Sequence, residues 1–125
     1  MERHVRLLGI LASLGGKLAM LVGVSMLLLS AGALAEMLTL DSGVEFAAGV
    51  TAAVFAAIGT FALLWGGAHV WAAVLLDRRQ PFGRVLTLAL ALVNLVVLPF
   101  GTAFGIYACW TLLTNDGRRL FEPAR

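Results

Sequence analysis

The stretch that decides the fold is Phe46–Leu76, which reads FAAGVTAAVFAAIGTFALLWGGAHVWAAVLL and holds no lysine, arginine, aspartate or glutamate. Two further apolar stretches, Leu7–Leu38 and Val85–Leu113, flank it along the chain. A helix needs roughly 20 consecutive apolar residues to cross about 30 Å of bilayer hydrocarbon, and each stretch is longer than that. The sequence therefore predicts an all-α integral membrane protein.

Composition agrees with this class and leaves little room for anything else. Hydrophobic residues make up 61% of the 125 residues and charged residues 13%, whereas soluble domains are about 25% charged. We expect a single membrane domain over residues 1–125, with helix 1 at 5–38, helix 2 at 44–76, a broken helix 3 at 84–113 and a tail at 114–125. The net charge of +2 gives no argument for binding nucleic acid.

The N-terminal sequence MERHVR followed by an apolar run has the look of a signal peptide. The apolar run, however, continues past the usual core of about 7–15 residues, and two more apolar stretches follow. We therefore expect an uncleaved anchor.

Positive charge is confined to three clusters along the chain. They are Arg3, Arg6 and Lys17; Arg78, Arg79 and Arg84; and Arg118, Arg119 and Arg125. The connection between the first two stretches carries Glu36, Asp41 and Glu45 instead. Because lysine and arginine in short loops stay in the cytoplasm, the pattern predicts a cytoplasmic N-terminus, a cytoplasmic DRRQPFGR connection and an external acidic loop. The basic tail favours a cytoplasmic C-terminus as well.

The third stretch is interrupted by proline. It reads VLTLALALVNLVVL, then PFGT, then AFGIYACWTLL. Pro99 lacks a backbone N–H and disfavours helix at the preceding residue, Phe100 and Gly101 complete a turn-like sequence, and Thr102 can cap a following helix. Two interpretations stay open: a re-entrant hairpin with halves of about 20 Å, or one kinked transmembrane helix of about 29 residues. Tail charge and turn chemistry favour the hairpin.

Small residues recur at a spacing of four, which lets membrane helices approach closely. The stripes are Gly15, Ala19 and Gly23; Gly49, Ala53 and Ala57; and Gly101 and Gly105. If helices 1 and 2 pair antiparallel about a turn near Asp41, residues at equal height have numbers that add to about 82. The stripes then predict packing within the chain and against a partner, which is either a second copy or another membrane subunit.

Two polar residues within the apolar stretches are candidates for function. Asn94 either joins helices by a hydrogen bond or lines a pore beside the predicted break. His69, in WGGAHVW, either bonds locally or ligates a haem or chlorin. His4 lies some 13 Å from His69 in helical height, so the two do not bridge one haem within a chain. We find no catalytic constellation and no metal-ligand set, and expect neither enzymatic activity nor a required cofactor.

The last third of the chain resembles the C-terminal part of a group of small bacterial integral membrane proteins. The shared pattern is Pro-x-Gly-Thr-x-x-Gly-x-Tyr-x-x-Trp-x-Leu-Leu, here Pro99, Gly101, Thr102, Gly105, Tyr107, Trp110, Leu112 and Leu113, followed by a charged tail with Phe121. The resemblance implies a bacterial inner-membrane protein with a fixed turn at Pro99–Thr102. It implies no particular activity.

Three functions are consistent with these residues. The first is a structural or accessory membrane subunit that acts through helix–helix association with lipid, other subunits or itself. The second is a homo-oligomeric channel or small transporter that uses the break at Pro99–Thr102. The third is a haem-binding or pigment-binding subunit through His69. The absence of charge at the centre of the apolar stretches favours the first, because polar residues inside the membrane usually mark transport or cofactor sites.

Overall fold

The computed structural model describes residues 2–39, 43–96 and 100–121, and all regular structure in these ranges is helical. The helices are α1 Glu2–Thr39, α2 Glu45–Asp77, α3 Pro81–Asn94, α4 Phe100–Leu113 and α5 Asn115–Arg119. The chain divides into two compact units, one made of Met1–Gly15 with Ala68–Arg125 and the other of Gly16–Gly67. We call them the terminal unit and the central unit and describe each by itself.

The prediction of an all-α chain is confirmed, with small differences in where helices begin and end. α1 starts three residues before the predicted residue 5, and its first turn holds Glu2, whose carboxylate suits the positive end of a helix dipole. α3 begins at Pro81 and not at residue 84, because proline fits the first position of a helix. The predicted tail contains a helix of its own, α5.

The third stretch is two helices, α3 and α4, of 14 residues each. Residues 97–99, Pro99 among them, lie outside the described residues, so the assignment of the break to that proline stays a prediction.

Both long helices are apolar enough, and long enough, to cross a membrane. In their most apolar windows only 6% of the residues of α1 and 17% of those of α2 are buried. Leu28 and Leu64, for example, are 69% and 70% exposed. A helix in the core of a soluble protein buries an apolar face against its neighbours, whereas these apolar windows are largely exposed. Both helices are therefore candidates to span a membrane.

The central unit consists of two helical segments that run antiparallel with their backbones in close approach. A Cβ built on Gly66 would come within 2.5 Å of the Gly16 carbonyl oxygen, and one on Gly59 within 2.9 Å of the Gly23 carbonyl oxygen. Further along, the Ser30 hydroxyl donates a 2.7 Å hydrogen bond to the Ala52 carbonyl. These contacts agree with numbers that add to about 82 at equal height. Glycine is required where the two backbones meet.

The terminal unit holds a packed core to which α1, α2, α3, α4 and the tail all contribute. Its buried members are Val5, Leu8, Leu76, Ala91, Ala108, Leu112 and Phe121. The buried side chains of α3 lie at a helical spacing on one face, so this helix has the apolar stripe of an ordinary packed helix. Phe121 belongs to this core, so the tail folds back onto the unit.

Helices α3 and α4 pack antiparallel in the terminal unit. A Cβ on Gly105 would lie 2.7 Å from the Ala91 carbonyl oxygen. At the other end of the pair, Nε of Arg84 donates a 3.0 Å hydrogen bond to the Leu112 carbonyl, one of the carbonyls that lack a partner where a helix ends. The start of α3 therefore lies beside the end of α4.

The connection between α2 and α3 is a tight helix stop. The Gln80 N–H donates to the Leu75 carbonyl and the Arg79 N–H to the Leu76 carbonyl, both at 3.0 Å, which is the bonding pattern of a Schellman motif. Arg79 takes the left-handed position with φ of 53°, where glycine is usual. Its guanidinium forms a 2.7 Å salt bridge with Glu2 of α1.

Candidate functional site

Four polar side chains are buried among the described residues, and all four lie in the terminal unit. They are His69, Thr87, Asn94 and Thr111. Burying a polar group costs free energy unless it is hydrogen-bonded, so such positions are where a structural or chemical role is concentrated. No such cluster is present in the described part of the central unit.

His69 and Asn94 form a buried pair that joins α2 to α3. Nδ2 of Asn94 lies 2.8 Å from Nε2 of His69, and the two residues are 9% and 7% exposed. An amide nitrogen can only donate, so in this arrangement Nε2 accepts the hydrogen bond. The ring of Phe104 on α4 packs beside the imidazole, with 6.2 Å between ring centroids.

The helix positions explain why the two residues meet. Asn94 is the last residue of α3 and shares its buried face with Thr87 and Ala91. The tight stop after α2 turns the chain back, so α3 runs beside the end of α2 and Gly83 packs against Leu75. From the sequence, His69 and Asn94 stand out separately and nothing connects them. If Asp77 and Arg84 lie at equal height, residue numbers at equal height add to about 161, which places His69 level with about residue 92, two residues from Asn94.

This geometry bears on the chemistry proposed for each residue. Nε2 of His69, one of the two atoms through which an imidazole ligates a metal, is occupied by the Asn94 amide. Ligation through Nε2 would require that amide to move away, and the haem or pigment role of His69 stays a prediction. Asn94 is buried and hydrogen-bonded to another helix, a geometry that suits the joining role, and the pore-lining role stays a prediction.

The other two buried polar side chains are threonines on facing helices. Thr87 on α3 and Thr111 on α4 are 1% and 0% exposed, and neither hydroxyl has a hydrogen-bond partner. An unsatisfied buried hydroxyl is destabilising by roughly 1–3 kcal/mol. Each threonine fills about the same volume in the core as a valine would, but its hydroxyl makes no hydrogen bond.

A second polar and aromatic cluster lies near the start of α1. Nδ1 of His4 is 3.0 Å from the Tyr107 hydroxyl, and the His4 ring meets the Trp110 ring edge-on with centroids 5.5 Å apart. Nearby, a salt bridge joins Glu2 to Arg79, whereas His4 contacts α4 through Tyr107 and Trp110.

The residues expected to pack helices divide into those used within the chain and those left exposed. Gly23 and Gly105 are at close backbone contacts, and a Cβ built on Gly49 would lie 3.3 Å from the sulfur of Met37. Gly15 has open space around it; the neighbouring Gly16 makes the contact. The remaining members are Ala19 and Gly101, half-buried, and Ala53 and Ala57, exposed.

The contacts of the central unit involve four residues that the sequence did not single out for packing: Gly16, Gly59, Gly66 and Ser30. For the glycines, the indication in the sequence is a spacing of seven, which links Gly16 to Gly23 and Gly59 to Gly66. A spacing of seven keeps residues on one helix face as a spacing of four does, but the predicted stripes include only residues spaced by four.

Thr102 does not cap the helix that follows the predicted break. α4 begins at Phe100, which places Thr102 within its first turn, and its hydroxyl donates a 2.9 Å hydrogen bond to the Leu95 carbonyl just after α3. The side chain thus satisfies a carbonyl where α3 ends, a position that otherwise lacks a partner. Of the other predicted turn residues, Pro99 lies outside the described part of the chain.

No group of three or more histidine, cysteine or carboxylate side chains that could hold a metal ion occurs in residues 2–39, 43–96 and 100–121. No family model, curated protein or solved structure matches the chain. The resemblance of the last third to small bacterial membrane proteins therefore stays a prediction, and the function has to be argued from the geometry.

Proposed function

We propose that this chain is a small integral protein of the bacterial cytoplasmic membrane that acts as a structural or accessory subunit through helix–helix association. α1 and α2 cross the bilayer, and the N-terminus, the α2–α3 connection and the C-terminus are cytoplasmic. The observation that carries the proposal is the exposure of the two long helices. In their most apolar windows, only 6% of the residues of α1 and 17% of those of α2 are buried. Only hydrocarbon or another apolar helix can cover such a surface.

The lengths of α3 and α4 support a re-entrant position for this pair. Each has 14 residues, or about 21 Å at 1.5 Å per residue, which is short of the roughly 30 Å of hydrocarbon. Their antiparallel packing brings Arg84 at the start of α3 to Leu112 near the end of α4. The two basic segments that flank the pair can then stay on one side of the membrane, as the positive-inside rule favours.

Association with a partner is supported by small residues that the chain itself does not use. Ala53 and Ala57 on α2 are exposed, and Gly15 and Gly32 on α1 have open space around them. Helices in a bilayer associate through such small side chains because they allow close packing. The polar residues that could have lined a pore or held a cofactor are instead paired in the core, as His69 and Asn94 are.

The proposal has two parts that are tested in sequence. Membranes that contain the chain are first washed with alkaline carbonate. We expect the protein to stay in the pellet and to be released by detergent; release by carbonate alone would overturn membrane insertion. Mild extraction from the native membrane followed by native mass spectrometry then identifies what is bound.

Co-extraction with a larger membrane complex would support the accessory role. A closed homo-oligomer with no other subunit would overturn it in favour of the channel. A bound mass of cofactor size would instead favour His69 as a ligand.

A further inference from the structure

The terminal unit gathers seven arginines at one end. Four chain segments meet there: the start of α1, the end of α2, the start of α3, and α5. Their arginines are Arg3, Arg6, Arg78, Arg79, Arg84, Arg118 and Arg119. The salt bridge between Glu2 and Arg79, at 2.7 Å, joins α1 to α2. The hydrogen bond from Arg84 to Leu112 joins α3 to α4, directly before α5. We call this surface the arginine end.

Most of this positive charge has no counter-charge in the described part of the unit. The carboxylates on the same segments are Glu2, Asp77 and Asp116, and Glu2 is already paired with Arg79. Arg3, Arg6, Arg78, Arg118 and Arg119 are exposed, and none forms an ion pair among the described residues. Five exposed guanidinium groups on one end of a small unit attract anions strongly.

Aromatic rings lie directly behind the arginine end. Trp71 and Phe82 are both exposed, with 6.0 Å between their ring centroids. On α4, Trp110 is exposed beside Tyr107, with ring centroids 6.2 Å apart. Exposed tryptophan and tyrosine concentrate at the level of lipid headgroups, where one side of the ring is apolar and the other is wet. The arginines and the rings together have the chemistry of a membrane–water boundary.

We propose that the arginine end binds the phosphate groups of anionic phospholipids. A guanidinium pairs with phosphate oxygens through two parallel N–H donors, and the adjacent rings contact the glycerol and upper acyl region. This inference rests on the proposed membrane location and adds the lipid class. Nucleic acid also carries phosphates, but exposed aromatic rings beside the arginines suit a lipid surface and not a solvated backbone.

Native mass spectrometry of the detergent-solubilised chain tests the proposal, with added dioleoylphosphatidylglycerol compared with dioleoylphosphatidylcholine. We expect tighter binding of the anionic lipid. Near a membrane surface each basic residue contributes about fivefold in affinity for anionic lipid. Arg78→Gln should therefore weaken phosphatidylglycerol binding about fivefold, and Arg3→Gln, Arg78→Gln and Arg118→Gln combined should abolish the preference.

Arg78→Lys is the matched control, because it keeps the charge at the same exposed position. We expect it to bind phosphatidylglycerol more tightly than Arg78→Gln, because the charge is kept, and less tightly than the unmodified chain, because an ammonium lacks the two parallel donors. Circular dichroism of each variant verifies that the helices are intact, so loss of lipid binding is not loss of fold.

Equal affinity for the two lipids, or no effect of the triple substitution, would overturn the inference. Displacement of phosphatidylglycerol by an equal concentration of inorganic phosphate would overturn it as well, in favour of a site for free anions. Carbonate extraction separates this failure from that of the proposed function: a chain that stays in the membrane but shows no lipid preference contradicts only the inference.

Discussion

Nδ2 of Asn94 donates a 2.8 Å hydrogen bond to Nε2 of His69 in the interior of the terminal unit, and this bond joins α3 to α2. Both side chains are buried, with 7% of His69 and 9% of Asn94 exposed. The bond gives both polar groups a partner, so their burial is tolerated. The two residues that looked most like functional candidates in the sequence thus satisfy each other.

Replacement of Asn94 should destabilise the fold through the group left behind. Asn94→Leu removes the donor and leaves the buried imidazole without it, which costs about 1–3 kcal/mol. We expect a lower midpoint of thermal unfolding in detergent, measured by circular dichroism. In a double-mutant cycle, His69→Leu with Asn94→Leu should recover part of the loss, with a coupling of about 0.6–2 kcal/mol.

If the destabilisations of His69→Leu and Asn94→Leu simply add in the double variant, the two side chains are not coupled. Leu92 supplies the control, since it is exposed on the same helix, and Leu92→Ala should shift the midpoint far less than Asn94→Leu.

Glycine at the backbone contacts of the central unit should not tolerate even a methyl group. The new Cβ of Gly66→Ala would meet the Gly16 carbonyl oxygen at 2.5 Å and the Met20 backbone nitrogen at 2.9 Å. Because backbone must shift to make room, we expect a destabilisation of about 1–3 kcal/mol. Chemical denaturation in detergent micelles measures it.

Gly32→Ala is the matched control for Gly66→Ala, because Gly32 is helical but has open space around it. In a helix interior alanine is about 0.5–1 kcal/mol better than glycine, so this variant should be slightly more stable than the unmodified chain. Equal effects of the two substitutions would show that helix propensity and not the close approach governs both sites.

Arg79 should separate backbone strain from side-chain charge. The residue has φ of 53°, a conformation that costs a residue with a Cβ about 1–2 kcal/mol. Arg79→Ala loses the bond to Glu2 and keeps the strain, whereas Arg79→Gly loses both. Because both variants lose the exposed salt bridge and only glycine relieves the strain, we predict that the glycine variant unfolds at a higher temperature than the alanine variant. The reverse order would count against the left-handed conformation at this position.

The hydroxyls of Thr87 and Thr111 should be dispensable. Neither has a hydrogen-bond partner and both are buried, so replacement by valine keeps the shape and removes a desolvated polar atom. We expect Thr111→Val to stabilise the fold by roughly 1 kcal/mol. Ser30→Ala should do the opposite by about the same amount, because its hydroxyl donates to the Ala52 carbonyl. Thermal unfolding of the two variants side by side gives the comparison, and destabilisation by the valine would indicate a partner for the hydroxyl.

Membrane orientation is measured by labelling single cysteines in intact cells with an impermeant maleimide. The background is Cys109→Ser, which removes the one native thiol. We predict that a cysteine at Gly43 is labelled from outside, because the positive-inside rule favours an external position for the acidic loop. Cysteines at Arg78 and Arg118 should react only after the cells are opened. External labelling at Arg118 but not at Arg78 would mean that the third segment crosses the membrane once.

Much of the fold is readable from the sequence because membrane-length apolar stretches are long, strong signals. Both long helices begin and end within three residues of their predicted limits. Charge alone could not place Glu2 beside Arg79, since exposed arginines have many possible partners. The height arithmetic about Asp41 agreed with the contacts of Gly23 and Gly59.

The candidate site was harder to predict because it depends on which helix faces meet. Asn94 and His69 were each visible as polar residues in apolar runs, yet their pairing needs the rotation of α3 about its axis as well as its height. The contribution of Phe121 to the core was missed for a different reason. A charged tail that follows an apolar stretch reads as solvated, and nothing local in RRLF indicates that its last ring is buried.

The antiparallel packing of α3 and α4 also bears on how this part of the chain would enter a membrane. The segment that follows the α2–α3 connection begins and ends at the same end of its unit, where Arg84 meets Leu112. In the proposed topology, Arg118 and Arg119 therefore need not pass through hydrocarbon. The two short helices can then insert from the cytoplasmic side as one preformed pair.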